Sequence, residues 1–350
     1  MAVEIDFLPV GDGARSGDAI TLRYGDAQAG YRVMAVDGGT QASGEALVKH
    51  IRGVYGTNKV ADVVNTHPDG DHASGLSVVL TELDVGRLWM HRPWDYAEDI
   101  RHLFQDGRIT DESLERRIRE ALQSAHDLEQ VAIKRKVPII EPYRGANIGP
   151  FLVLSPHKDW YLKELVPNFR GTPEAKGAAE GIAALAKILM EKAKEGVAWV
   201  KETLAIETLK DDGETSAQNE SSVVMCASFD GNKVLLTGDA GIQALTRSAR
   251  YAAGIGLRLD DLWMVQVPHH GSRNNVSPAI LDKIKGQYAI ASAAEADDLH
   301  PRRVVTNALK RRGAQVYATK GKGIRQQYGM VYRDGWTAAA EIPFYDQVEA

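Results

Sequence analysis

Apolar positions recur along this chain on two periods, and the changes of period mark its elements. Ile5–Val10, Ala19–Tyr24 and Tyr31–Asp37 are apolar runs of strand length, set apart by Gly-Asp-Gly and Ser-Gly-Asp turns. The last run stops at Asp37-Gly38-Gly39. From Gln41 to Val54 the spacing becomes helical, through Ala46, Leu47, His50, Ile51 and Val54. Ala61–Thr66 reads as a buried strand, His72–Leu83 as a helix and Gly86–His91 as another strand.

The pattern shifts after His91. Trp94–Phe104 and Thr110–Arg135 take helical spacing. In the second, Thr110 is placed as an N-cap with acids behind it, and Leu114, Ile118, Leu122, Ala125 and Ala132 share roughly one face. Short strands at Pro138–Ile140 and Phe151–Ser155 precede a long helical zone, Pro173–Leu209. There Ile182, Leu185, Ile188, Leu189, Val197, Val200 and Leu204 recur at helical spacing or two turns apart. Residues 211–220 are polar and loop-like. Strand patterns return in Ser221–Phe229, Asn232–Asp239, Asp261–His270 and Gly286–Ser292, with helical stretches at 241–253 and 301–312. The expectation is one domain over 1–350 with a mostly helical insertion at 92–218. That insertion is an appendage, a lid or a surface for a protein partner. Its aromatics, among them Trp94, Tyr96, Trp160 and Tyr161, serve as core or as platforms for bases.

Composition narrows the class. Apolar residues make up 44% and charged residues 25%, values of a soluble globular protein. No apolar run nears the ~18 residues of a spanning helix, so no membrane role is expected. The opening MAVEIDFLPVGDG lacks a basic head and a signal-length apolar run. The single cysteine, Cys226, cannot form an internal disulfide and sits in the apolar run SSVVMCASF, which suits a buried thiol and a cytoplasmic location. The net charge of −5 argues against a protein that coats nucleic acid. Yet Pro301–Met330 carries Arg302, Arg303, Lys310, Arg311, Arg312, Lys320, Lys322 and Arg325 with no Asp or Glu. This is either a solvated face or a rim that attracts anions.

The chemistry concentrates at Thr66-His67-Pro68-Asp69-Gly70-Asp71-His72, where imidazoles and carboxylates crowd a tight loop after an apolar strand. Such donors suit Zn²⁺, Mn²⁺ or Fe²⁺. Turn chemistry alone explains the Asp and Gly but not histidines at both ends. Asp239, after VLLTG, and His269-His270, after LWMVQVP, also stand where a strand stops. Ligands from distant sequence can meet on such a rim.

The order HxDxDH, TGDA, PHHGS resembles metallo-β-lactamase-fold hydrolases. Its particular form is similar to the ComEC-type hydrolase domain, the soluble domain attached to a bacterial DNA-uptake channel. Gly17-Asp18-Ala19-Ile20, the MAVDGG turn, Asn219–Val224 and His300-Pro301 agree. The resemblance covers 1–91 and 218–335. It implies an α/β fold, an αββα sandwich of two mixed sheets between helix layers. It also implies two metal positions: His67 and Asp69 in the first, Asp71, His72 and His269 in the second, and Asp239 bridging. Most of the superfamily has histidine where Asp69 stands. The later histidine of the first site is replaced by Asn219 or its neighbours, with His157 an outside candidate. The extra carboxylate makes a harder first site, so one or two ions, Zn²⁺ or Mn²⁺, stay open as cofactor.

The resemblance further implies catalysis by Asp71, Asp239, His270 and His300. Asp239 would hold the water, and His300 would contact a phosphoryl oxygen or protonate the leaving oxygen. His270, Ser272, Arg273, Arg302 and Arg303 would bind substrate. The expected activity is a metal-dependent phosphodiesterase, foremost a nuclease acting on DNA. The alternatives are hydrolysis of a small phosphodiester or lactone, and a scaffold with a vestigial metal site. A β-lactamase proper is not expected.

Overall fold

Along the strand Gly30–Gly38, Met34 and Val36 face one way and Val33 and Ala35 the other, and all four are buried. A strand buried on both faces needs a layer on each side. Met34 and Val36 share the inner layer with Ile5, Phe7, Leu22, Phe151, Met225, Leu236 and Met264, which come from two sheets. Val33 and Ala35 share the outer layer with Leu47, Ile51, Leu76 and Val79 of the helices Gln41–Gly53 and Gly70–Glu82. On the second sheet Leu235, Val265 and Ala289 turn outward to a layer holding Leu245 and Ala308, from the helices Ile242–Gly254 and Arg303–Arg311. The result is helix, sheet, sheet, helix.

The computed structural model describes residues 1–11, 13, 15–176 and 198–349. Each main sheet has seven strands. The first runs Ile324–Tyr328, Ala2–Phe7, Ala19–Asp26, Gly30–Gly38, Asp62–Val64, Leu88–Trp89, Ile139–Ile140, antiparallel as far as Gly30–Gly38 and parallel beyond it. The second runs Gln315–Ala318, Gly286–Ala291, Leu262–Gln266, Asn232–Leu236, Val224–Phe229, Phe151–Ser155, Asn147–Ile148, parallel through its first four strands. Parallel strands deliver their carboxyl ends to one rim, where α/β folds hold ligands. Here that rim collects Asp37, His67 and His91 from one sheet and Asp239 and His269 from the other. No helix among the described residues is long and apolar enough to cross a membrane.

Three glycines let the outer layer of the first sheet close down on this rim. Gly75 N–H donates to Gly39 O at 2.9 Å. A Cβ on Gly75 would overlap the Gly38 carbonyl oxygen, and one on Gly44 would stand 2.7 Å from Gly75 Cα. The helix that carries Asp71 and His72 therefore lies against the end of the Gly30–Gly38 strand at a distance no side chain permits.

Four expectations change. The stretch Thr110–Arg135 is two helices, Asp111–Ala121 and Gln123–Arg135, broken at Leu122 (φ −115°, ψ 42°). Thr110 does cap the first, in a reciprocal pair with Ser113. Trp94–Phe104 is a chain of short helical turns rather than one helix. Of the long helix expected over 173–209, residues 177–197 lie outside the described residues. At its far end Trp199–Lys201 is a strand, paired with Gln347–Glu349, and Leu204 and Ile206 are exposed. Finally, 92–218, expected as a helical insertion, supplies Ile139–Ile140 to the first sheet and Asn147–Ile148 and Phe151–Ser155 to the second. Cys226 lies buried on a strand of the second sheet, where burial pushes its thiol up to about 12.

Candidate metal centre

The strand Asp62–Val64 ends, and the next residues turn into the helix Gly70–Glu82. Asp71 and His72 occupy its first turn, while His67 hangs from the connecting loop. Across the rim, Asp239 follows the strand Asn232–Leu236, and His269 and His270 follow Leu262–Gln266. Gly238, His269 and His270 all adopt positive φ, at 51°, 47° and 58°. Left-handed backbone at two adjacent histidines is costly, and such strain gathers where side chains must be aimed.

Four imidazoles are aimed at one carboxylate. From Asp239 Oδ2, the Nε2 atoms of His67, His72 and His269 stand at 3.8, 3.5 and 3.6 Å, and His270 Nε2 is 3.7 Å from Oδ1. These separations are too long for good hydrogen bonds. They match the spacing of ligand atoms that each lie about 2 Å from one shared ion. Asp18, Asp37 and Asp71 complete the cluster. Four groups of convergent donor atoms form within it: Asp37, His67 and His72; Asp71, His72 and His270; Asp239, His269 and His270; Asp18, His72 and Asp239.

The outer nitrogens of His67, His72 and His269 are held, that of His67 3.0 Å from Thr66 Oγ1. Asp37 accepts from Thr66 N–H at 2.8 Å and from Thr66 Oγ1 at 2.6 Å, and its Oδ2 meets His72 Nδ1 at 2.8 Å. His269 Nδ1–H donates to Asn275 Oδ1 at 2.9 Å, and Asn275 Nδ2 donates to Asp239 O at 2.8 Å. Carboxylates and amides behind the rings fix the tautomer that leaves Nε2 free for a metal. Asn219 stands beside His269, its Nδ2 3.1 Å from Nδ1 and 2.7 Å from Thr215 Oγ1.

The inner atoms are not held. Nε2 of His67 and of His72, Oδ1 of Asp239, Oδ1 of Asp18 and both ring nitrogens of His270 are buried without a partner. Buried polar atoms are almost always paired, and leaving one unpaired costs about 1–3 kcal/mol. So many in one place fit a divalent cation, with neutral imidazole and carboxylate as its donors. The electrostatics agree. Burial alone would raise the Asp239 carboxyl, but His269, His72 and His270 outweigh it and hold it well below its ordinary value. Burial would lower His72, but Asp239 and Asp37 outweigh it and raise it well above. Both shifts record a demand for positive charge at this spot, which a bound cation would meet. Burial leads the other shifts: His67 is lowered, His270 falls to about 4, and Asp18 rises to about 7 with His72 opposing.

The remaining expected residues scatter around this cluster. Asp69, expected in the first metal position, is the N-cap residue of the Gly70–Glu82 helix, and its Oδ2 meets Arg170 Nη2 at 3.2 Å. It belongs to none of the four groups among the described residues. The carboxylate turns to the guanidinium because a neighbouring chain segment brings a cation to the exposed side of the loop. His157 accepts from Asp159 N–H at 3.2 Å and caps a short helix, outside the four groups. His300 stacks on His269, ring centroids 6.1 Å apart, and its Nδ1 lies 3.0 Å from Asp297 Oδ2. Ser272 and Arg273 follow the two histidines after Gly271. Arg302 N–H donates to Gly271 O at 3.0 Å, which seats that arginine beside the same turn. Arg303 lies further out, its guanidinium between Trp199 and Tyr345 at 4.8 and 4.5 Å. Asp18 and Asp37 were absent from the expected ligands. Asp37 shares with Asp239 the sign of an Asp ending an apolar strand; Asp18, which precedes one, carries no such sign.

The family model of the metallo-beta-lactamase superfamily matches residues 33–294, and the chain belongs to that superfamily of metal-using hydrolases. No curated protein matches the sequence. Solved structures similar to the chain include a CmlA beta-hydroxylase variant, 10% identical over 93% of this chain and 53% of that one, with a TM-score of 0.42. This chain therefore spans about half the length of that protein. The hydrolase AbOPH of the beta lactamase superfamily is 8% identical over 72% of this chain and 82% of its own, TM-score 0.35. The metallo-beta-lactamase SMB-1, in complex with mercaptoacetic acid, is 10% identical over 77% and 81%, TM-score 0.32.

Proposed function

We propose that this protein is a metal-dependent phosphodiesterase whose substrates are nucleic acids, working in the cytoplasm with Zn²⁺ or Mn²⁺. The observation that carries the reading is the set of buried, unpartnered imidazole and carboxylate atoms converging on Asp239. Arg273, two residues after Gly271, and Arg302, whose N–H meets Gly271 O, follow from the same turn, and neither has a carboxylate partner among the described residues. A divalent cation held by His67, His72, Asp239, His269 and His270 would supply an acidified water and Lewis-acid polarisation. The chain's own groups do the rest. Asp239, kept anionic, would orient the attacking water, whose proton is lost to solvent. Arg273 and Arg302 offset the charge that develops on the phosphorus oxygens. His300, which burial lowers and Asp297 partly restores, would give a proton to the leaving oxygen, its protonated form favoured as negative charge develops there. The segment 92–218 borders the centre through Arg170 and would select substrates or partners there.

The test uses protein loaded with Mn²⁺ or Zn²⁺ and two diesters, one with a p-nitrophenol leaving group and one with an alkyl alcohol. The wild type cleaves both. His300→Gln loses ~100-fold or more on the alkyl ester and little on the p-nitrophenyl ester, since only a poor leaving group needs a general acid. A loaded protein that opens lactones and leaves both diesters intact removes the proposal.

A further inference from the structure

His300 has a second neighbourhood. On the side away from the metal centre it lines a groove of about 1000 Å³. One wall is the loop 319–323, which joins the outermost strands of the two sheets, Gln315–Ala318 and Ile324–Tyr328. The other is the C-terminal segment 332–345, tied down by Ile342 N–H to Val316 O at 2.8 Å and by the ion pair of Lys310 with Glu341. The groove thus follows the open edge of the sandwich and ends at the catalytic rim.

Apart from Arg302, seated at the turn after His270, the basic residues of 301–330 fall into two sets. Lys310, Arg311, Arg312 and Arg325 are in ion pairs with Glu341, Glu202, Glu207 and Glu4 and serve the fold. Arg303, Lys320 and Lys322 line the groove and have no carboxylate partner among the described residues. Aromatic side chains share the lining: Trp199 is 50% exposed and Tyr332 67%, and Trp336 lines the same wall, with Arg303 over one face of Trp199 and Arg325 over one face of Trp336. Of the acids there, Glu341 is paired and Glu349 accepts from the N–H groups of Arg303 and Val304 at 3.3 Å, which leaves Asp298.

We infer that this groove is the track of a single-stranded nucleic acid, leading it past His300 to the metal centre. Cations spaced among exposed aromatic faces grip a phosphate backbone while the bases stack. An acidic peptide would use the cations and leave the aromatic faces idle. This deepens the phosphodiesterase reading and rests on it.

The experiment measures anisotropy of a fluorescein-labelled oligothymidylate bound to the full chain in EDTA, so that binding is read without turnover. The wild type binds, and added salt weakens it. Lys322→Glu and Tyr332→Ala, both at exposed side chains, each weaken binding about tenfold. Lys134→Glu, on a distant helix, leaves it unchanged. Equal binding by all four proteins, no binding by the wild type, or equal competition by polyglutamate overturns the inference. A separate assay of the wild type on the p-nitrophenyl diester with Mn²⁺ keeps the two readings apart. Cleavage with no oligonucleotide bound refutes the groove and keeps the phosphodiesterase. Groove-dependent binding with no cleavage keeps the groove and refutes the activity.

Discussion

Both ring nitrogens of His91 are buried without a partner, and the ring lies between Tyr143 and Tyr161 at 4.7 and 4.3 Å. Burial drives its pKa down to about 3. Unfolded, the same side chain titrates near 6.5, so between those values the unfolded chain holds a proton that the native chain refuses. Stability is therefore full above about pH 6.5 and falls by about 1.4 kcal/mol per unit as pH drops toward 3. His91→Phe keeps the aromatic packing and removes this term. Urea unfolding should show the variant gaining about 2 kcal/mol on the wild type at pH 5 relative to pH 8; an unchanged difference means His91 is solvated or paired. A second expectation at this scale concerns Asp69. With its carboxylate on Arg170, Asp69→Ala keeps its bound metal by elemental analysis, whereas His72→Ala and Asp239→Ala lose it. Metal lost from the Asp69 variant as well would return that residue to the ligand set. The sequence singled out His67, Asp71, His72, Asp239 and His269 as candidates because each follows closely on an apolar strand run. Asp18 and Asp37 are distant in sequence, and only the tertiary fold brings their carboxylates to His72.

The two helices over the first sheet pack through Gly38, Gly44 and Gly75, and this contact fixes where Asp71 and His72 point. Gly75→Ala is expected to push the Gly70–Glu82 helix outward, because the colliding atoms are backbone and cannot rotate away. The cost is about 1–3 kcal/mol, seen as a lower Tm, together with weaker metal retention. A variant that keeps both shows that the helix can shift freely. Elements were legible wherever their partners are regular. Strand alternation such as Val33–Met34–Ala35–Val36 and the helical stripe Leu47–Ile51 report burial directly. What was not legible depends on remote partners. Val200 fits a helical stripe, yet it pairs with Val348 in a strand. The Leu114–Ala132 stripe reads as continuous, yet the backbone breaks at Leu122, whose side chain is buried. Local spacing records which residues are covered, not what covers them.

Across the whole molecule the candidate ligands divide between two halves of the sandwich. His67, Asp71 and His72 belong to the first sheet and its helix; Asp239, His269 and His270 belong to the second. An ion that binds only the native arrangement stabilises it by mass action, about 2.7 kcal/mol at a hundredfold excess over Kd. Mn²⁺ or Zn²⁺ should raise the Tm of the wild type and leave that of Asp239→Ala unmoved, as differential scanning calorimetry will show; equal shifts in both place the ion elsewhere. The same division sets an order of events during synthesis. Translation delivers His67 to His72 early, but their counterparts leave the ribosome only after the intervening strands of both sheets have been made. A nascent chain can therefore fold much of its first sheet and still offer no competent cage to the cell's metal pool. The histidine pair that arrives late acts as a latch. A cation would be trapped only once the two sheets have met, with the strands Gly286–Ala291, Gln315–Ala318 and Ile324–Tyr328 still to be added, so a loaded centre would certify that the halves have docked.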